Sequence, residues 1–560
     1  MDAVKRWLPV LLCSAAAVLV LFPLSVYPDL FHRTPNTPLH LLVLDHLFMF
    51  MRGDVEQLSH VIAADFPTGR PVRIIGWPFQ LVALPLVPVM GRVAALNISL
   101  LLTVLLSGVL MARLIRNMGL GVAAQTVGAT AWVMNPLLVS FLSNGQYENH
   151  VGWAFPLVLL GLLRGGLKGN LMVGVGMLGA AFSSPYQAIP VAIVLGTVVL
   201  MLYRRSGVGL FATLGMVFLM CYAYFSGPQP TPGGECGPTS GNMPLSLNEL
   251  FGMTGALRAE MPFQVDRWTS FWTAFAEPAV WTRELGANTL LVSPSSGFLG
   301  LLPLIAGCVG LWRVRTLPWV KPLCLAAGTC LLFALGPEFS WARGSEVDLP
   351  MPADLLSLFP GLDQMGTTLR FMTGVAFVLV VGLAFLVESI AANRRSVASC
   401  ILLLLVASEW VFGTVPSVPM QTRAFQAPAG FDALPDTGAV MGVPIMSKVP
   451  PEAHLWNGLV IERPVVGYCK TSILDYRERY GMVNYAQGGI LPNSSVIARD
   501  FADMHNNGIS YLAFLVPLPG EDQFQRSRKR IEAVLGPADA AGDGVIGYRT
   551  QRPGALPSKD

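Results

Sequence analysis

The chain is 560 residues long, 53% hydrophobic and only 13% charged, against roughly 25% charged in soluble domains, with a mean hydropathy of +0.55. That is the composition of a polytopic α-helical membrane protein. The net charge of +3, with no basic run interleaved with aromatics, gives no face for nucleic acid and excludes that partner.

Lys5 and Arg6 precede an apolar run from Trp7 to Tyr27. About 20 residues at 1.5 Å per residue cover roughly 30 Å of hydrocarbon. No small-x-small cleavage pattern follows, so the run is expected to be an uncleaved first span. A polar excursion, residues 28–73, comes next. Thr37-Pro38 is a helix start, a capping hydroxyl followed by proline at the first helical position. The stretch it opens, to Arg52-Gly53, is too short to cross a bilayer and carries Asp45 and His46, which points to an amphipathic helix lying at the interface. Asp54-Val-Glu-Gln57 has capping-box spacing and predicts a second short helix to Ala64. Asp65 to Pro71 is rich in turn formers.

Further apolar segments fall at 74–90, 93–113, 119–139, 151–165, 170–184, 186–203, 207–226, 297–313, 322–336, 370–391 and 399–417. If the segment from Ile74 to Met90, broken by Pro78, Pro85 and Pro88, is re-entrant or interfacial, Arg113 and Arg116, Arg204-Arg205 and Arg394-Arg395 all fall on the cytoplasmic side. The expectation is therefore about 11 crossings, amino terminus inside and carboxyl terminus outside. Residues 1–418 form the membrane region, with outer loops at 28–73, 227–296 and 337–369. Residues 419–560 have ordinary polarity, and short apolar runs there alternate with helix-like stretches at 495–507 and 522–535. That pattern predicts a small extracytoplasmic α/β domain. Most of the eight cysteines lie in apolar segments without metal or redox spacing. Cys236 and Cys469 are the two expected outside, where an oxidising compartment would permit a pair.

Carboxylates near the outer edge of the bilayer are the sharpest chemical signal, because a general base helps a weak nucleophile such as a sugar hydroxyl. Asp54 fits a helix cap, and Asp29 and Asp65 fit turns. Asp45 differs: a carboxylate inside Leu-Leu-Val-Leu-Asp-His-Leu-Phe needs a polar cleft, a partner or the interface. The octet Ser143-Asn-Gly-Gln-Tyr-Glu148-Asn-His150 packs donors and acceptors between two spans, and Trp153 close by offers an aromatic face for a sugar. Glu148 and His150 are candidates for substrate or metal contact, although Glu-x-His is no established metal motif. Arg370, at the outer end of a span, suits a phosphate, with a snorkelling anchor as its plain structural role. The spans otherwise carry almost no charge, which argues against an ion-coupled transporter.

Four stretches carry a family resemblance: Phe66-Pro67-Thr68-Gly69 closing the first loop; Asn144-Gly-Gln-Tyr-Glu148-Asn-His-Val-Gly-Trp153-Ala-Phe-Pro156; Phe359 to Arg370-Phe371; and, in the tail, Arg463-Pro-Val-Val-Gly467-Tyr468 with Asn507-Gly-Ile-Ser-Tyr511. The layout resembles bacterial integral-membrane glycosyltransferases of the GT-C type, in the group with a soluble carboxyl-terminal tail. The resemblance implies a GT-C-like fold in the bacterial inner membrane and a polyprenyl-phosphate-linked sugar donor used on the outer face. By that implication Asp45, or failing it Asp29, is the catalytic base. Glu148, His150 and Trp153 then orient substrate, and Arg370 meets phosphate. The cofactor stays open, with a divalent metal as one candidate. Such enzymes commonly carry Gly-Asp or Asp-Glu early in the first loop, where this chain has Pro28-Asp29. A non-catalytic protein that binds or assembles surface polysaccharide, and a lipid or sugar carrier, are the alternatives.

Overall fold

The computed structural model describes residues 2–22, 24–32, 37–54, 60–61, 70–71, 76–143, 145–202, 301–334, 339–340, 346–347, 368–413, 422–423, 429–444, 461, 465–466, 479–486, 492–515, 521–542 and 545–551. The expected span 207–226, the loop 227–296, most of the loop 337–369, and Asp65, Asn144, Cys236 and Cys469 lie outside the described residues.

Helix α1 (Asp2–Val20) ends before the apolar run does, shortly ahead of Pro23, since proline disfavours helical conformation in the residue before it. Helix α2 (Thr37–Arg52) has the expected bounds but not the expected setting. Leu41, Leu42, Val43, Leu44 and Leu47 are buried in the main core, and only the last four residues, Met49 to Arg52, are exposed. Four consecutive apolar residues give it no single wet face, so it packs inside rather than lying flat on the surface. The second helix expected to run to Ala64 is also corrected: His60–Val61 (β2) pairs with Arg70–Pro71 (β3) as an antiparallel ladder. Asp54 instead pairs with Arg52 at 3.1 Å, both of them exposed. A capping-box pattern fixes only one turn of backbone, and the ladder at His60–Val61 stops a helix from continuing to Ala64.

The proline-rich segment becomes α3 (Trp77–Ala83) and a 3₁₀ turn running into α4 (Val87–Asn117). Gly91, at φ 77°, ψ 164°, kinks α4, a conformation that glycine adopts without steric cost. Helices α5 (Val122–Val133) and α6 (Pro136–Ser143) are divided at Asn135, whose Oδ1 accepts from the Leu137 N–H at 3.1 Å. Helices α7 (Ala154–Arg164), α8 (Gly166–Ser183) and α9 (Pro185–Leu202) follow.

The helix Met372–Ser389 is the axis of the bundle, with nearly every residue buried. Phe377 packs on Trp132 and Phe155, whose ring centroids lie 5.5 and 5.3 Å away. The helix Leu301–Arg313 crosses it closely: a Cβ on Gly310 would come within van der Waals overlap of the Gly382 carbonyl oxygen. Among the described residues, Trp77–Asn117, Val122–Ser143 and Met372–Ser389 are long and apolar enough to cross a membrane.

Phe339–Ser340 (β4) pairs antiparallel with Glu346–Val347 (β5), and later residues build a five-stranded mixed sheet in the order β10 (Ala540–Gly542), β11 (Val545–Arg549), β9 (Ile509–Leu515), β7 (Ala439–Pro444), β8 (Val465–Val466). Strands β7 and β9 run parallel. The helices Ser494–Asn506 and Glu521–Leu535 bury Ile497, Phe501, Met504, Ile531 and Leu535 in the same core as β9. Phe31–His32 (β1) of the first loop pairs antiparallel with Thr422–Arg423 (β6), just after the last helix of the bundle.

Candidate functional site

One end of the bundle holds a buried knot of polar side chains around the 3₁₀ turn Tyr147–Asn149, between α6 and α7. Gly145, at φ 68°, starts this turn. Asn149 lies fully inside and His150 and Tyr147 nearly so. The first loop folds onto this turn. The Tyr147 hydroxyl sits 2.7 Å from Nδ1 of His32 and 2.9 Å from Oγ1 of Thr37. Burial pushes the Tyr147 phenol well above its ordinary pKa and pulls His32 down to about 3, so both are neutral. A neutral phenol has one proton; given to His32 Nδ1, it leaves an oxygen lone pair for the Thr37 hydroxyl, and every group is used.

His40, one turn into α2, is fully buried and packs on the rings of Tyr147 and Phe79, with centroids 5.0 and 5.3 Å away. Its Nε2 lies 3.0 Å from Oε2 of Glu148. The approach is out of line for a hydrogen bond, so this is a close electrostatic contact that leaves both atoms, and Nδ1, with unused bonding capacity. Gln80 of α3 donates to the His40 carbonyl at 3.0 Å, which ties the proline-rich segment to the same place. Glu148 Oε1 lies 3.2 Å from Nδ2 of Asn149, and Asn149 Oδ1 accepts from Ser184 Oγ at 2.9 Å. Both ring nitrogens of His150 are buried without a partner. Burial lowers its pKa to about 4, so it is neutral with one donor and one lone pair unused.

The carboxylates expected from sequence take different places. Asp45 accepts from Arg92 Nη1 at 2.6 Å, a pair about four-fifths buried. Five residues beyond His40, it is about 140° round the helix and about 7.5 Å along it, so it faces away from the Glu148 contact. Asp29 is exposed in the turn after α1. Trp153 is buried with its ring over Gly179, where a Cβ would overlap the indole; the aromatic face expected for a sugar is covered by α8. Arg370 is in the 3₁₀ turn that starts the axial helix, and its carbonyl accepts from the Thr373 hydroxyl at 2.7 Å. Glu148 and His150 are thus part of the knot, His32, Thr37, His40 and Gln80 join it unannounced by any sequence motif, and Gln187 adjoins it through its backbone N–H, which donates to the Ser184 carbonyl at 2.9 Å. A signal for the histidines was present: five of the chain's seven precede residue 151.

Among the described residues no group of three histidine, cysteine, aspartate or glutamate side chains converges as metal ligands. Glu148 and His40 make a pair and His150 adds a free neutral nitrogen, which by themselves do not form a closed ligand set.

No protein-family model matches the sequence, and no curated protein matches it. Among solved structures the chain is similar to the oligosaccharyltransferase of Archaeoglobus fulgidus in complex with Zn and sulfate, 12% identical over 90% of this chain and 67% of that one, with a TM-score of 0.47. The apo form is 11% identical over 90% and 69%, with a TM-score of 0.45. The archaeal oligosaccharyltransferase AglB from Archaeoglobus fulgidus, in complex with an inhibitory peptide and a dolichol-phosphate, is 10% identical over 91% and 69%, with a TM-score of 0.40. These scores are too low to carry chemistry from one chain to another, and the site rests on its own geometry.

Proposed function

We propose that this chain is a membrane glycosyltransferase that moves a sugar from a polyprenyl-phosphate donor to an acceptor on the outer face of a bacterial inner membrane. In this reading the amino terminus is cytoplasmic, and residues 419–560 form a soluble α/β domain outside. The observation that carries it is the meeting of the first loop and the 147–150 turn, where His40 and Glu148 face each other at 3.0 Å with bonding capacity unspent. A carboxylate with one oxygen buried and short of a hydrogen-bond partner is costly to keep and is the kind of group that chemistry uses.

Glu148, rather than Asp45, is the carboxylate that takes the acceptor's proton. Asp45 is neutralised by Arg92, and an ion-paired carboxylate is a weaker base. The acceptor oxygen attacks the anomeric carbon, the bond from that carbon to the phosphate oxygen breaks, and the proton ends on Glu148. His40 holds the carboxylate in place. Arg370 meets the departing phosphate. Glu148 and His150 could also contact a divalent cation, but the described donors do not close a metal site, and no step is assigned to one.

The test is transfer from a radiolabelled polyprenyl-phosphate sugar in proteoliposomes. Glu148→Gln is expected to lower the rate about 100-fold or more, the scale of a lost general base. Wild-type rates in that variant would remove Glu148 from the chemistry, and no transfer by the wild type with any donor would favour a polysaccharide-binding protein.

A further inference from the structure

We infer that Gln187 is a specificity-determining residue whose side-chain amide reads a hydroxyl of the donor's sugar; this rests on the glycosyl-transfer reading above. Gln187 lies in the first turn of α9, one turn beyond Ser184, whose hydroxyl bonds Asn149 beside Glu148. It is fully buried. Its Oε1 lies 2.8 Å from the Thr373 hydroxyl, while its Nε2 has no partner.

Proton counting sharpens what is missing. The Thr373 hydroxyl also faces the Arg370 carbonyl at 2.7 Å. A hydroxyl carries one proton, and a carbonyl can only accept. If that proton goes to Gln187, the NH₂ of the amide is left over. If it goes to Arg370, the amide turns over, its NH₂ meets Thr373 and its oxygen is left over. In either setting one polar end of a buried amide stays unpaired, which is costly and persists where a ligand completes it. The leftover group is a donor in one setting and an acceptor in the other. A sugar hydroxyl serves both, whereas a phosphate oxygen only accepts. His150, the residue after Asn149, is also buried with one donor and one acceptor unused and sets the same demand.

The test uses the full-length chain in lipid nanodiscs and measures binding of decaprenyl phosphate alone and of decaprenyl phosphates carrying glucose, mannose, galactose or arabinose. The wild type is expected to bind at least one sugar-bearing lipid more tightly than the bare lipid. Gln187→Leu, close in volume but without the amide, should weaken that lipid about tenfold or more, as for a lost buried hydrogen bond, with the bare lipid unchanged. Thr373→Val keeps the amide but frees it from its lock and should erode the same preference by a smaller factor; it carries the test if Gln187→Leu does not fold. Equal loss for both lipids, or no loss, overturns the inference, as does an ordered water completing the amide in the wild type with sugar bound. If the wild type binds none of the sugar-bearing lipids, the glycosyl-transfer reading falls with it. Tight wild-type binding that Gln187→Leu and Thr373→Val leave intact removes the inference alone.

Discussion

The axial helix Met372–Ser389 has a polar cluster at each end, and the two are built on opposite terms. At one end Glu388 is spent: its Oε1 accepts from Arg395 Nη1 at 2.8 Å and its Oε2 from the Gly121 N–H at 2.8 Å. Arg395 in turn donates to the carbonyls of Glu388 and Ile390. At the other end, about 22 Å away at 1.5 Å per residue, the atoms of His40, Glu148, His150 and Gln187 are buried with bonding capacity to spare. A satisfied ionic latch holds helices together; a buried cluster short of partners costs stability unless something binds there. The first cluster is thus complete without a ligand, and the second is the one the glycosyl-transfer proposal uses.

Acid should separate the ends most strongly, because His32 and His150 are both buried at the open end. His150 and His32 have folded pKa values of about 4 and about 3 against 6.5 when unfolded. The unfolded chain therefore takes up protons that the folded one refuses once pH falls below 6.5. Stability is level above about pH 7 and declines from there toward pH 4 for His150 and pH 3 for His32. At pH 5 each costs about 2 kcal/mol, or about 4 together. Melting in detergent at pH 7.5 and 5.0 checks this, and His150→Asn should remove about half of the acid loss. The latch should respond to truncation instead. Glu388→Ala leaves Arg395 and the Gly121 N–H without their carboxylate, and about 1–3 kcal/mol of stability is expected to go with them, read as a lower melting temperature with donor binding intact. The smallest effect on transfer is expected at Asp45. Asp45→Asn keeps the shape and should change transfer less than threefold, while the loss of the Arg92 ion pair, about four-fifths buried, costs about 3 kcal/mol of stability. A drop on the scale expected of Glu148→Gln would return the base to Asp45 and break the assignment.

What could be read from sequence, and what could not, follows from the range of the interactions. The 143–150 octet stood out because eight polar or turn-forming residues between apolar spans is a local anomaly. In the tail, the runs Val440–Val443 and Val545–Tyr548 lie within observed strands, and the stretches 495–507 and 522–535 nearly coincide with the helices Ser494–Asn506 and Glu521–Leu535, since periodicity is also local. Asp45 was legible as a carboxylate needing a partner, but the partner is 47 residues on, beyond the proline-broken segment. His40 meets Glu148 across 108 positions, and His32 meets Tyr147 across 115. Nothing in a single sequence encodes such pairings. Trp153 read as an exposed aromatic only because the glycine that covers it, Gly179, lies on another helix. Gln187, a lone amide in Pro-Tyr-Gln-Ala-Ile-Pro, gave no pattern at all.

The most direct test exchanges one oxygen for a nitrogen at each end. Glu148→Gln and Glu388→Gln are compared in one preparation for melting temperature and for transfer from a radiolabelled polyprenyl-phosphate sugar. Glu148→Gln is expected to lower transfer about 100-fold with the melting temperature held, and Glu388→Gln to lower the melting temperature with transfer near wild type. Equal effects of the two substitutions on both readouts, or transfer that survives Glu148→Gln and fails with Glu388→Gln, would contradict these roles.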